Sequence, residues 1–237
     1  MFDVRIIGHV HTPPLRPAIL DDRLWFPPAT LALTDEDANG LVAVGGDLSI
    51  ERLLLAYRSG IFPWTDHPVT WWSPNPRGIF ELNSFHLSHS LKRTLHRGRF
   101  EVTCDRAFRA VIEACAEPTP ARPTTWITPA FVSAYCALHR AGFAHSFESW
   151  KHGRLVGGIY GVAVGGLFAG ESMFQRLPDG SKVALAKLVE HLRSRGFSLF
   201  DIQTVTPHTR RLGAVEISRD DYLERLSAAM AKGGSWT

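Results

Sequence analysis

Three side chains in the last third of the sequence are placed to do chemistry. Glu171 stands near the end of an apolar, glycine-rich stretch from Leu167 to Phe174, and Asp201 and Gln203 interrupt the apolar run that begins at Leu199. Strand side chains alternate between faces, so Asp201 and Gln203 are expected on one face with Ile202 on the other. A carboxylate and an amide are costly to bury without partners. Two readings follow from this spacing. The pair satisfies itself and nearby backbone within a core, or it makes a polar site in which Asp201 orients Gln203 toward a reacting group. The segment Gly165-Gly-Leu-Phe-Ala-Gly170-Glu171-Ser172 is one residue short of a phosphate-binding loop. Glu171 stands where that loop needs lysine, and its charge repels phosphate. No GxGxxG, GxSxG or HExxH pattern occurs. Eleven histidines lack ligand spacing, and Cys104, Cys115 and Cys136 form no CxxC, so neither a metal site nor a disulfide framework is expected.

The elements that must carry these residues are partly legible. Ser49 is a plausible N-cap for a helix to Arg58, with Leu53, Leu54 and Tyr57 apolar and Gly60 at its end. The first 25 residues read as irregular. Residues 63–77 hold four prolines and three tryptophans, too apolar for a flexible linker, and read as a packed seam between a small N-terminal domain and the rest. Ser88 to Arg97 reads as a basic helix, with Leu87, Leu91 and Leu95 on one face. Asp105 to Ala116 and Pro129 to Ala141 read as two more helices. Phe143 to Trp150, Leu155 to Val164 and Leu167 to Phe174 read as antiparallel strands, the last two joined by a turn at Gly165-Gly166. Glycines within them suggest bulges or close backbone approach by a ligand. A helix from Ser181 to Gly196, strands at Ser198 to Gln203 and Val215 to Ile217, and a helix from Asp220 to Ala231 follow. That order predicts an α+β fold rather than a doubly wound sheet.

Length and composition bound the function. The 237 residues suffice for one large domain, or for a small one and a medium one. No apolar run approaches the ~20 residues needed to cross a bilayer, and Met1-Phe-Asp-Val-Arg has no signal-peptide pattern. The expectation is a soluble, cytoplasmic protein without membrane partners. Residues 1–80 hold 6 Lys and Arg against 9 Asp and Glu, a net of −3, whereas residues 81–237 hold 20 against 14, a net of +6. A modestly basic C-terminal part permits a polyanionic partner without requiring one.

The chain resembles the bacterial leucyl/phenylalanyl-tRNA–protein transferases. The resemblance rests on collinear segments, chief among them Gly40-Leu-Val-Ala-Val-Gly-Gly-Asp-Leu-Ser49, Gly60-Ile-Phe-Pro-Trp64, Trp71-Trp-Ser-Pro-Asn-Pro-Arg77, Thr125-Trp-Ile-Thr128, Leu155-Val-Gly-Gly-Ile-Tyr-Gly161, Gly170-Glu-Ser-Met-Phe174, Ser181-Lys182 and Asp201-Ile-Gln203. It spans roughly residues 24–226. It implies transfer of leucine or phenylalanine, and weakly methionine, from aminoacyl-tRNA to the N-terminal α-amine of proteins beginning with Arg or Lys, marking them for degradation. It implies a small N-terminal domain (1–77) and a larger acetyltransferase-like (GNAT-like) domain (78–237) with a mixed, largely antiparallel sheet. Carried over by position, Asp201 and Gln203 are the catalytic pair and Glu171 holds the amino group of the transferred residue. Tyr57, Trp64 and Trp126 line the mouth where the terminal adenosine of the 3′-CCA end docks. Ile159, Ser172, Met173, Leu188 and Leu192 serve the bound aminoacyl group, mostly as its apolar pocket. The presumed RNA-binding helix has His89 and His96 where relatives carry basic residues, which leaves Lys92, Arg93, Arg97 and Arg99. No cofactor or metal and a monomeric chain are expected. Rival readings are the same chemistry with other donor or acceptor residues, and an acyl-CoA-dependent N-acetyltransferase. The latter needs a Gly-rich pyrophosphate loop that Gln175-Arg-Leu-Pro-Asp-Gly-Ser181 lacks.

Overall fold

Capping and periodicity set most of the helices. In the computed structural model, which describes residues 16–119 and 123–237, the Ser49 hydroxyl accepts from the Arg52 amide at the start of a helix that ends before Gly60. Gly60 adopts a left-handed φ of 76°, which glycine reaches without steric cost. A four-stranded sheet of β1 (Ala18–Leu20), β2 (Leu41–Gly45), β3 (Phe62–Asp66) and β4 (Val69–Trp72), ordered β1-β2-β4-β3, packs its β3 against this helix, α1 (Ile50–Arg58). The stretch expected as a packed seam carries regular structure that the sequence did not suggest. The Trp- and Pro-rich stretch is a β-hairpin, and Pro63 is tolerated because β3 is an edge strand, where a missing N–H breaks no ladder. The expected irregular N-terminal stretch contains β1, which pairs in parallel with β2. Its first 15 residues lie outside the described ones.

The chain then enters a seven-stranded sheet. Its elements are β5 (Arg77–Phe80), α2 (His89–His96), β6 (Glu101–Cys104), α3 (Phe108–Ala116), α4 (Pro129–Arg140), β7 (Ala144–Lys151), β8 (Arg154–Val164), β9 (Leu167–Gln175), α5 (Gly180–Ser194), β10 (Leu199–Gln203), α6 (Pro207–Arg211), β11 (Ala214–Ile217) and α7 (Arg219–Lys232). The strand order is β11-β5-β10-β9-β8-β7-β6. Every pair is antiparallel except β9 with β10, which are joined through α5. The fold is therefore α+β with mixed sheets. Alternation along β8 sends Tyr160 and Val162 into a core with Phe108 of α3 and with Phe131 and Tyr135 of α4. Ile159 and Ala163 go into a second core with Leu185, Leu188 and Leu192 of α5. Both faces of the sheet are thus covered. Among the described residues no helix is long and apolar enough to cross a membrane.

The strand glycines meet the expectation in part: a bulge falls where Gly161 pairs with Gly170, and Gly157 does meet a close backbone. A β-carbon on Gly157 would collide with the backbone of Gly180 and Ser181 at the start of α5. The close approach at Gly157 is made by the chain's own helix, not by a ligand.

The β9–β10 split forms the candidate active site

Pairing between β9 and β10 stops at Ala169 opposite Asp201, although both strands continue. Two bulges cause the parting. On β9, Gly170 and Ser172 oppose Gly161 and Tyr160, so Glu171 is the unpaired extra residue. On β10, Asp201 and Gln203 oppose Ile79 and Gly78, so Ile202 is the extra one. A bulge bends its strand and re-aims the side chains around it. Between the diverging strands lies a cavity of about 270 Å³. It is lined by Glu171, Ser172 and Met173 of β9 and by Ile202 and Gln203 of β10. Phe62, Pro63 and Trp64 of β3, Trp126, Ile159 of β8, Thr206 at the start of α6 and Thr209 within it also line the wall.

The bulge overturns the face assignment made from alternation. Ile202 and Gln203 both face the cavity, whereas Asp201 is fully buried beneath it. Gln203 takes a left-handed φ of 60°, a conformation costing of order 1 kcal/mol for a residue with a side chain. The Asp201 carboxylate holds it there by accepting from the Gln203 backbone N–H at 2.9 Å. Asp201 is itself clamped by Arg77 of β5, whose Nε and Nη2 donate to its two oxygens at 2.9 and 2.6 Å. The Tyr222 hydroxyl of α7 donates to Oδ2 at 3.0 Å. Arg77 reaches in turn the Gly60 carbonyl at 3.0 Å and lies over the Tyr222 ring, 4.2 Å from its centroid. Burial disfavours the Arg77 charge, but the Asp201 carboxylate beside it outweighs that and raises the guanidinium pKa.

Glu171 has a different shell. Its Oε1 accepts from the Tyr57 hydroxyl at 2.9 Å and from Gln203 Nε2 at 3.2 Å, and its Oε2 from the Tyr135 hydroxyl at 3.1 Å. The two hydroxyls also touch each other at 2.6 Å. If both hydroxyls donate to the carboxylate, their contact with each other has no proton; a proton on Glu171 that is donated back to one tyrosine frees that hydroxyl to donate to the other and closes the ring. Burial is the main cause that lifts the Glu171 pKa to about 7; the tyrosine hydroxyls pull the other way. Burial also raises both tyrosines well above their ordinary value, which keeps them as donors.

The remaining expected residues separate into three groups. Trp64, 43% exposed, and Trp126 stand at the cavity and make edge contacts with Trp72 and Phe131, at centroid distances of 5.3 and 5.2 Å. Tyr57 is not at the mouth; it is buried under Glu171 and reaches the site through its hydroxyl alone. Leu188 and Leu192 do not line the cavity either, because α5 turns them into the core layer against which Met173 packs. Lys92, Arg93, Arg97 and Arg99 are exposed on and just after α2, outside the cavity wall. Sequence reasoning missed Tyr135, Arg77, Tyr222 and the Thr206–Thr209 rim. Arg77 alone had a signal, as a cation opening the apolar strand Gly78-Ile-Phe80.

Among the described residues one group has metal-ligand composition: Asp105, His139 and His145, with donor atoms within 4.8 Å of one another. Those atoms already have protein partners. His145 Nδ1 meets Asp105 at 2.7 Å, His139 Nδ1 meets the Ala144 carbonyl at 2.7 Å, and the Trp236 indole donates to Asp105 at 3.1 Å. The cluster ties the C-terminal segment to β7 and is not part of the cavity wall.

Similarity to known proteins extends over most of the chain. A family model described as leucyl/phenylalanyl-tRNA protein transferase matches residues 79–227, and one for the N-terminal domain of that transferase matches residues 46–75. A leucyl/phenylalanyl-tRNA–protein transferase of Syntrophotalea carbinolica is 52% identical over 213 residues, 89% of this chain and 91% of the relative. That of Syntrophobacter fumaroxidans is 52% identical over 223 residues, 92% and 94% of the two chains. That of Pseudomonas entomophila is 49% identical over 219 residues, 91% and 96%. With a family model covering more than half its length and relatives of this similarity, the chain belongs to the leucyl/phenylalanyl-tRNA protein transferase family.

Proposed function

We propose that the cavity binds the aminoacylated 3′ end of the donor tRNA and that Gln203 aligns the acceptor amine beside it. The enzyme is an aminoacyltransferase that moves leucine or phenylalanine from aminoacyl-tRNA to a protein N-terminus, so the two substrate ends must meet in one place. One observation carries the assignment of that place. A carboxylate able to hold an ammonium, an apolar wall and two indoles share a single cavity. Glu171 receives the α-ammonium of the aminoacyl group, Ile159 and Met173 face its side chain with Ser172 beside them, and Trp64 and Trp126 take the terminal adenine. Stacking on an aromatic ring is worth ~1–3 kcal/mol per base and serves every base alike. An apolar wall selects by size and lack of polarity.

The chemistry asks for little beyond placement. The donor is an activated ester, and the acceptor nitrogen attacks its carbonyl carbon while the ribose oxygen leaves. Holding the partners together and stabilising the tetrahedral oxyanion supply most of the acceleration. A free α-amine has a pKa of about 7.7–8.0, so a strong base is unnecessary. Gln203 Nε2 donates to Glu171, which leaves the amide oxygen to accept an N–H of the incoming amine. Asp201 is then a positioning residue, acting through the Gln203 backbone N–H.

The same reading takes acceptors beginning with Arg or Lys, a role in marking them for degradation, and a monomeric, cytoplasmic enzyme without cofactor or metal. It places a domain boundary near Arg77, which is supported by the chain leaving the four-stranded sheet after Trp72 and entering the seven-stranded one at that residue. It treats residues 78–237 as an acetyltransferase-like domain, supported by the parallel pair β9–β10 that parts at the cavity.

The test is transfer of radiolabelled leucine and phenylalanine from charged tRNA onto peptides differing only at residue one: Arg, Lys, Asp, Glu or Ala. Incorporation on Arg and Lys alone is the expected result; incorporation on Asp or Glu overturns the acceptor assignment. In the same assay Gln203→Ala is expected to lower kcat about 100-fold with little change in KM for tRNA. Near-normal turnover in that variant removes Gln203 from the reacting centre.

A further inference from the structure

The cavity rim and the basic helix α2 are joined by cationic side chains to which the established activity gives no part. Thr206 and Thr209 line the cavity, and His208 lies exposed between them. Lys182, at the start of α5, and Arg211, at the end of α6, are close enough to His208 that their charges, after burial, push its imidazole pKa down. Lys182 Nζ is held by Asp179 Oδ1 at 3.2 Å, and the other oxygen of Asp179 accepts from Thr94 Oγ1 of α2 at 3.1 Å. Farther along, Gly213, just past α6, packs against His86, just before α2, with a β-carbon built on Gly213 only 3.7 Å from His86. Arg211 is exposed, and among the described residues no carboxylate pairs with it; Arg210 beside it pairs with Glu216 at 3.1 Å.

We propose that Lys182 and Arg211, with the His208 imidazole beside them as a hydrogen-bond donor, form a phosphate track that carries the unpaired 3′ strand of the donor RNA from the cavity toward α2. The inference rests on the donor's 3′ end occupying the cavity. Its chemistry follows from that placement. The nucleotides preceding the terminal adenosine bring one phosphodiester charge each, and they must leave the cavity across some part of its rim. Lys182 and Arg211 stand near His208 of the Thr206–Thr209 segment, whereas Phe62, Pro63, Trp64 and Trp126 of the same wall offer no charge to a phosphate. Lys182 comes from α5 and Arg211 from α6, and Asp179 fixes both Lys182 and, through Thr94, the helix to which the track leads. Lys182 keeps ammonium protons free of Asp179 for a phosphate oxygen. A backbone-only contact of this kind reads every donor tRNA alike.

The test compares two donors in the full-length enzyme: intact leucyl-tRNA, and leucyl-adenosine, which lacks the phosphodiesters assigned to the track. The double variant Lys182→Met, Arg211→Met is expected to raise KM for leucyl-tRNA about tenfold with kcat unchanged. Its plot of log affinity against log salt should be shallower by about 0.7 per lost phosphate contact. Transfer from leucyl-adenosine is expected to be untouched. Unchanged KM and salt slope with leucyl-tRNA overturn the track. So does an equal loss with both donors, which would place these side chains in support of the cavity itself. Failure of the wild-type enzyme to use leucyl-adenosine at any concentration would instead count against the cavity assignment, so the two ideas fail separately. Circular dichroism melting of the variant guards against unfolding, and Lys182→Arg, which keeps the charge, is expected to restore most of the affinity.

Discussion

Arg77→Met will destabilise the enzyme by about 3–5 kcal/mol, more than any substitution in the cavity wall. Arg77 and Asp201 are 1% and 0% exposed, with a closest contact of 2.6 Å. Removing the cation leaves a carboxylate buried with only a tyrosine hydroxyl and one backbone N–H, and an uncompensated buried charge costs about this much. The same change frees the Gly60 carbonyl from its guanidinium partner. For a chain of this length the loss corresponds to a melting shift of roughly 10 °C. The double variant Arg77→Met, Asp201→Leu should regain a large part of the stability, because the charge and its partner leave together. It should regain no activity, since the Gln203 backbone N–H has lost its acceptor. Urea titration of the single and double variants decides the point: additive losses would mean that the two groups do not act as a pair.

Glu171→Gln should separate stability from function. With a pKa of about 7 against an ordinary 4.5, the folded protein holds a proton on Glu171 that the unfolded chain has already lost across pH 4.5–7. Stability therefore falls as pH rises through that window and is level above it. The amide carries no such cost. Glu171→Gln is expected to melt like wild type at pH 4.5 and to be about 1–3 kcal/mol more stable at pH 8. Its transfer activity should drop about 100-fold at pH 8, mainly through KM for the donor, because a neutral amide does not hold the ammonium. Equal stability at both pH values would show that burial does not strain this carboxylate. A variant both more stable and inactive is the usual outcome when a site holds a charge for its ligand.

The legible parts of this protein were those governed by local rules. Ser49 and Gly60 bracket α1 as capping chemistry requires, and Gly165-Gly166 turns the β8–β9 hairpin. The strands β3, β4 and β5 were hidden because each is short and two of them lie among prolines and tryptophans, which resemble irregular packing when read along the chain. Asp201 and Gln203 were found by type, but their faces were misassigned. Alternation holds only while the ladder is regular, and Ile202 breaks it. Tyr135 gave no signal, since an aromatic four residues after Phe131 on an apolar helix face is what a core needs anyway. Arg77 and Asp201 are 124 residues apart, and no local pattern couples positions at that separation.

The clamp on Asp201 also fixes when the site can exist. Its oxygens are shared between Arg77 and Tyr222, side chains 145 positions apart that also meet each other. The chain must extend past Gln203 and Thr209 to complete the cavity wall, and past Tyr222 before Asp201 has all its donors. The anchor of the bent Gln203 backbone is therefore complete only when side chains from the two ends of the chain have met.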